Sequence, residues 1–277
     1  MINTRIRKGE TRMQLCSLYS GSSGNSIYVG NENTHFLVDV GVSAKKLEKA
    51  LAEIDLTVND MAGIFITHEH SDHISGLGVI ARRYGIPMYG TAKTLEAVKA
   101  YKTLGEVDYS LFQAIEPDED FMMNDIKVRA IRTWHDATDP VCYTFKQGKR
   151  KISIATDLGN FDAYIINNLK DSDILLIEAN HDINMLEVGP YPYYLKQRIL
   201  GDRGHLSNER SGQLIKQLLN NHIKGILLGH LSKENNFPEL AYETVYVELL
   251  QNPYTSDIQD FNIKIANRDS NSDMIVA

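Results

Sequence analysis

The run Thr67-His68-Glu69-His70-Ser71-Asp72-His73 constrains this chain more than any other stretch. It follows a short apolar segment, Ile64-Phe65-Ile66-Thr67, that reads as a strand. It precedes a segment, Ile74 to Tyr84, that reads as a helix stopped by Gly85. In extended chain alternate side chains point the same way, so His68 and His70 can grip one ion. As the chain turns into the helix, Asp72 and His73 can face a second ion. Imidazole and carboxylate are the ligand types that suit zinc, manganese or iron(II). Three histidines could merely cap a helix and form hydrogen bonds. Four ligand-type residues within six positions at a strand-to-helix junction point instead to a metal centre.

The 277 residues are 43% hydrophobic and 23% charged, enough for one large α/β domain with a sizeable core. No apolar run approaches the roughly 18 residues that span a bilayer. Met1 to Arg12 is polar and basic without an apolar centre, which predicts a flexible extension, no secretory signal and a cytoplasmic protein without membrane partners. The fold is expected to begin at Met13 and to run as a single domain over 13–266, with a frayed polar tail over 267–277. Cys16 and Cys142 fit neither a disulfide framework nor a thiolate metal site and read as buried. The net charge of −7 argues against broad adhesion to nucleic acid but permits a local basic groove.

The remaining chain alternates strand-like and helical segments. Strands are expected at Gln14–Tyr19, Ser26–Gly30, His35–Val40, Pro87–Gly90, Lys127–Arg132, Val141–Lys146, Lys151–Ala155, Ile174–Ile177 and Ile226–Leu228. Helices are expected at 44–54 behind Ser43, and at Thr94–Tyr101, Ala163–Leu169, Asn208–Asn221 and Pro238–Leu250. Two β-rich halves packed face to face with helices outside would give a four-layer αββα sandwich.

The His-x-His-x-Asp-His signature resembles that of the metallo-β-lactamase superfamily. The resemblance implies several further residues. Asp39, in Phe36-Leu37-Val38-Asp39-Val40-Gly41, would support the histidine loop. His135, Asp157 and His230, each just past an expected strand, would complete the ligand set. One ion would take His68, His70 and His135, the other Asp72, His73 and His230, with Asp157 shared. Secreted β-lactamases, flavodiiron proteins, β-CASP nucleases and the transfer-RNA-processing branch each carry a feature this chain lacks. The stretches Ser20-Gly21-Ser22-Ser23-Gly24-Asn25-Ser26, Glu178-Ala179-Asn180-His181-Asp182 and Gly204-His205-Leu206-Ser207-Asn208 resemble the bacterial YycJ/WalJ family, associated with exonuclease action on DNA.

Those stretches also have a physical reading. Gly21 and Gly24 permit a tight turn that exposes backbone N–H groups and hydroxyls, so Ser22, Ser23 and Asn25 could hold a phosphate. His205 stands at a helix start, where an oxyanion is welcome, and is expected to give a proton to the leaving oxygen. His181 follows a buried strand and could serve the substrate. Tyr191, Tyr193, Tyr194, Lys196, Arg198 and Arg203 interleave aromatic and basic character, which suits stacking on bases and neutralising phosphates. The expected function is a phosphodiesterase dependent on two divalent ions (zinc or manganese, with iron compatible), acting on DNA from an end. In it a metal-bridging hydroxide attacks phosphorus, with Asp72 and His205 as catalytic groups. The alternative is a small-molecule hydrolase, either a cyclic phosphodiesterase or a glyoxalase II-type thioesterase.

Overall fold

The computed structural model describes residues 12–250 and 262–277. The expected N-terminal extension, apart from Arg12, lies outside the described residues. The first sheet contains β1 (Gln14–Tyr19), β2 (Ser26–Gly30), β3 (His35–Val38), β4 (Met61–Phe65), β5 (Met88–Gly90) and β6 (Phe112–Ala114). The second contains β7 (Asp120–Met123), β8 (Ile126–Arg132), β9 (Val141–Gln147), β10 (Arg150–Ala155), β11 (Ile174–Glu178), β12 (Gly225–Gly229) and β13 (Ile263–Ile265). A last strand, β14 (Ile275–Val276), returns to the outer edge of the first sheet. The orders are β14-β1-β2-β3-β4-β5-β6 and β13-β12-β11-β10-β9-β8-β7.

Side-chain alternation explains the layering. In β11 Leu176 faces the other sheet and joins Phe36, Phe65, Tyr143 and Phe145 in the central core, while Leu175 and Ile177 face helices. Phe65 is fully buried, with its ring 5.2 Å from Phe36, 5.3 Å from Tyr143 and 5.4 Å from Phe145. Burial of such a ring stabilises by about 1.5–3 kcal/mol. Helices α1 (Ala44–Ala52), α2 (Ser71–Ile74), α3 (Leu77–Tyr84) and α4 (Ala92–Lys99) accompany the first sheet. Helices α5 (Ala163–Leu169), α6 (Ile183–Val188), α7 (Tyr193–Leu200), α8 (Asn208–Leu218) and α9 (Pro238–Leu250) accompany the second. Apolar stripes of α1, α3 and α4 cover one outer face, and those of α5, α8 and α9 cover the other. The expected αββα sandwich is the fold observed. Cys16 and Cys142 are buried in it as free thiols, and burial pushes both up to about 12.

Two expectations need correction, and one stretch gains an element. The helix from Ile74 to Tyr84 is broken between α2 and α3, because Gly76 N donates to Val40 O at 2.9 Å and Asp72 O accepts from Asn25 N at 2.8 Å, which leaves the helical bond between Gly76 and Asp72 unmade. The aromatic and basic stretch around Lys196, for which no element was expected, is a helix, α7. The tail over 267–277 does not fray. Gln14 pairs with Val276 and Leu15 with Ile275, Ser272 N donates to Ser17 O at 2.8 Å, and Ile275 is buried. Edge pairing and one buried Ile outweigh the polar composition of that segment.

The parallel pairs β3·β4, β10·β11 and β11·β12 bring the strand C-termini to one end of the sandwich. Asp39, the loop 66–73, Asp157, Glu178 and His230 all leave from that end.

Candidate metal centre

The loop after β4 is held from behind. Thr67 donates through N and Oγ1 to the Asp39 carboxylate at 2.8 and 2.7 Å. Asp39 Oδ2 also lies 2.7 Å from His73 Nδ1, which turns His73 Nε2 forward. His68 Nδ1 meets Thr67 Oγ1 at 2.9 Å, and His135 Nδ1 donates to Gly204 O at 3.0 Å. Gly204 can present that carbonyl only as glycine, since a Cβ would stand 2.1 Å from Ile199 O. A hydrogen bond at one ring nitrogen fixes the other as a lone-pair donor. Asp39, Asp157 and His230 have φ of 60°, 56° and 54°, in the left-handed region. Such backbone costs about 1–3 kcal/mol per residue and clusters at functional sites.

The forward atoms converge as two triads joined by one carboxylate. His68, His70 and His135 bring their donor atoms within 4.8 Å of one another, and so do Asp72, His73 and His230. His70 Nδ1 lies 3.0 Å from His68 Nε2 and 3.3 Å from His135 Nε2. Asp72 Oδ2 lies 3.5 Å from both His73 Nε2 and His230 Nε2. Asp157 stands between the triads, with Oδ1 3.6 Å from His135 Nε2 and Oδ2 3.1 Å from His73 Nε2. Ligand nitrogens 2.0–2.1 Å from a tetrahedral ion would be about 3.3 Å apart, so these spacings suit ligand edges.

The electrostatics ask for cations. Burial, with His73 nearby, drives the His68 imidazole well below its ordinary range. For His230, burial works downward but Asp157, Asp72 and Glu178 outweigh it and push the ring up to about 10. Asp157 is buried, and its Oδ2 has no hydrogen-bond partner among the described residues. That unmet carboxylate oxygen, with imidazole nitrogens on either side, fits a divalent ion better than a proton.

Comparison with known proteins agrees with this geometry. Residues 34–226 match the family model described as Beta-lactamase superfamily domain. The chain is 44% identical to Exodeoxyribonuclease WalJ of Streptococcus pneumoniae, over 84% of this chain and 87% of that one. It is 39% identical to Exodeoxyribonuclease YycJ of Bacillus anthracis, over 82% of this chain and 86% of that one. This chain belongs to the WalJ/YycJ family of the β-lactamase superfamily. The fold is shared with the metallo-β-lactamase fold protein YhfI of Bacillus subtilis, at a TM-score of 0.66 and 16% identity, over 95% of this chain and 99% of that one. The metallo-β-lactamase fold of the family implies divalent metal ions, and the donor set above fits them.

In this WalJ/YycJ-family chain a cavity of about 350 Å³ opens over the two triads. Its wall includes Ser22, Asp72, Asp157, Arg198, His205 and His230. Four residues expected to meet substrate do not line it. Ser23 is exposed outside it. Asn25 is buried beside the second triad, where Nδ2 lies 3.3 Å from Asp72 Oδ2 and 3.1 Å from His73 Nε2. His181 is buried, with Nδ1 3.3 Å from Asn180 Oδ1. Lys196 points away on α7 and donates to Glu187 O at 2.7 Å. Of the aromatic and basic cluster, Tyr191 and Arg198 reach the wall, and Arg198 makes a two-pronged pair with Asp136.

The sequence reading overlooked Glu178. It ends β11 fully buried and takes four donors. Oε1 lies 2.6 Å from His205 Nδ1 and 3.0 Å from His230 Nδ1, while Oε2 accepts from Leu158 N and Leu206 N at 2.9 and 3.2 Å. Burial alone would push this carboxyl up; His205 and His230 outweigh it and hold it at about 2. A carboxylate at the end of the apolar run Ile174–Ile177 was the available signal, because a buried charge needs partners. Asn180 was overlooked too. It lines the cavity and donates to His230 O at 3.0 Å.

Proposed function

We propose that this chain is a metal-dependent DNA exonuclease, with zinc or manganese as its ions. One observation carries the reading. His205, held at Nδ1 by Glu178, lines the same cavity as the two triads and is free to present Nε2 to a bound ester. The names of the 44% and 39% identical relatives supply the substrate class.

His68, His70 and His135 would hold one ion, Asp72, His73 and His230 the other, and Asp157 both. Divalent ions so held make water nucleophilic near neutral pH and neutralise charge on phosphoryl oxygens. The protein does the rest. Asp72 is kept ionised because His73 and His230 outweigh its burial, so it can orient the attacking water by accepting its hydrogen bond. Arg198 at the wall offers a guanidinium to the phosphate, restrained by Asp136. His205, with both ring nitrogens protonated, gives its Nε2 proton to the departing oxygen, and the Glu178 carboxylate at Nδ1 stabilises the charged ring before that transfer.

The test offers purified protein, with manganese or zinc added, end-labelled DNA, RNA and small phosphodiesters side by side. Stepwise shortening of DNA from an end is expected. Hydrolysis of small esters alone, with both polymers intact, would favour the small-molecule reading.

A further inference from the structure

A second hollow, of about 370 Å³, adjoins the metal cavity and shares Ser232 with it. The strip His230-Leu231-Ser232 thus runs from the last expected ligand into this hollow. Lys233 and Arg268 line it, and among the described residues no carboxylate does. Neither cation is ion-paired among the described residues; Arg268 donates through Nη2 to Leu231 O at 2.5 Å. Phe237 lines it too and is 46% exposed, in a fold whose other phenylalanines mostly fill the core.

The hollow is built on rigid parts. Phe237 N donates to Asn236 Oδ1 at 3.0 Å. The Asn236 Nδ2 is itself fastened to Ala179 O at 2.9 Å and to Asn208 Oδ1 at 2.9 Å. Arg268 comes from the segment expected to fray, which is tied down by Asn267 N to Ser272 Oγ at 2.9 Å and by Ser20 N to Arg268 O at 3.4 Å. On the opposite flank, a hollow of about 470 Å³ beyond His135 sets Asp118, Asp139 and Asp162 against Arg132 and Arg203, and Arg132 is already paired with Asp118 at 3.2 Å. Among the described residues a polyanion leaving the metal centre thus meets two unpaired cations and no carboxylate in the Phe237 hollow, and three carboxylates with one unpaired cation, Arg203, in the other.

We infer that the Phe237 hollow is a nucleotide subsite for single-stranded DNA. A base stacks on Phe237 while Lys233 and Arg268 take the adjoining phosphate, one step from the bond being cut. Such pairing of an aromatic platform with cations is how single strands are held without sequence readout. The inference rests on the nuclease reading above and names where that strand lies.

Lys233→Ala and Phe237→Leu, both at exposed positions, test it in the full chain with metal added. The probes are a labelled single-stranded oligodeoxynucleotide and bis(p-nitrophenyl) phosphate, which is too small to reach both hollows. KM for the oligonucleotide is expected to rise roughly tenfold in each variant with kcat nearly unchanged. Hydrolysis of the small ester should stay within about twofold of wild type. For Lys233→Ala the dependence of KM on salt should also weaken by about one phosphate contact. Wild type that shortens DNA, with variants that match it in KM, overturns the subsite and leaves the nuclease reading standing. Equal losses on both probes also overturn it, since the residues would then be supporting the fold. Wild type that hydrolyses the ester but leaves DNA intact overturns the nuclease reading and the subsite together.

Discussion

Glu178 Oε1 lies 2.6 Å from His205 Nδ1, and the same oxygen lies 3.0 Å from His230 Nδ1. One buried carboxylate therefore sets two imidazoles that line the cavity, one of them in a triad and the other, on the mechanism proposed above, at the leaving oxygen. Its other oxygen is taken by two backbone N–H groups, so it cannot rotate away without leaving donors unmet.

Glu178→Gln keeps the shape but removes the charge that both rings face. A group that orients a ligand is worth about 10–100-fold in metal affinity or activity. Turnover at saturating metal should fall by about that factor, and metal should bind more weakly as His230 loses its orientation. Titrating metal while following activity checks both effects. Unchanged affinity and unchanged turnover would show that the carboxylate only fills space.

The fold and the side chains that converge in the two triads were legible because their signals are local and dense. Four ligand types in six residues announce the loop after β4, and the apolar runs of β11 and β12 announce strands buried on both faces. What was missed depends on direction in space. Asn25, His181 and Lys196 belong to motifs near the site in sequence, but Asn25 is buried against Asp72 and His73, His181 is buried beside Asn180, and Lys196 reaches the Glu187 carbonyl, so none of the three lines the cavity. Glu178 lies in one of those motifs, and only the fold shows that it meets His205 and His230. Helix α7 buries little beyond Ile199, so it carries no strong apolar period. The strand β14 spans two residues in a polar tail and becomes visible only once β1 is there to pair with it.

His181 gives a dependence on pH. Burial lowers its imidazole to about 4, and Nε2 has no partner among the described residues. The unfolded chain, near pKa 6.5, binds a proton that the folded chain refuses. This contribution to stability is intact above about pH 6.5 and is lost as the pH falls towards 4, by about 3 kcal/mol in all. His181→Gln should flatten the difference between stabilities at pH 7 and pH 4 relative to wild type, as read from urea unfolding. Parallel curves for the two proteins would mean that His181 takes up its proton in the folded state.

Removing residues 272–277 should destabilise the protein although the segment looks dispensable in sequence. The truncation uncovers the place of Ile275 on β1 and leaves Ser17 O without Ser272 N. Burial of one Ile is worth about 1.5–3 kcal/mol. At this chain length that corresponds to a fall in Tm of roughly 5 °C. An unchanged melting curve would return the segment to the frayed tail first expected.

On the proposed mechanism, hydrolysis of an unactivated ester turns on His205. It is outside both triads; of the donors it clusters with, Asp157 and His230 already serve the proposed ligand set and Glu178 holds its Nδ1, so that set is complete without it, and its ring is 5.1 Å from His135 and 5.3 Å from His230. His205→Ala should therefore keep full metal content. Turnover of DNA should fall by about 10²–10⁴-fold, the usual worth of a positioned proton donor. The loss should depend on the leaving group. The alkoxide released from DNA needs the proton, whereas a nitrophenolate is stable without it, so bis(p-nitrophenyl) phosphate should lose far less. Elemental analysis and the two rates measured together decide the matter. Equal losses on both substrates with metal retained would make His205 a group that positions the phosphate, and the proton would then have to come from water in the cavity.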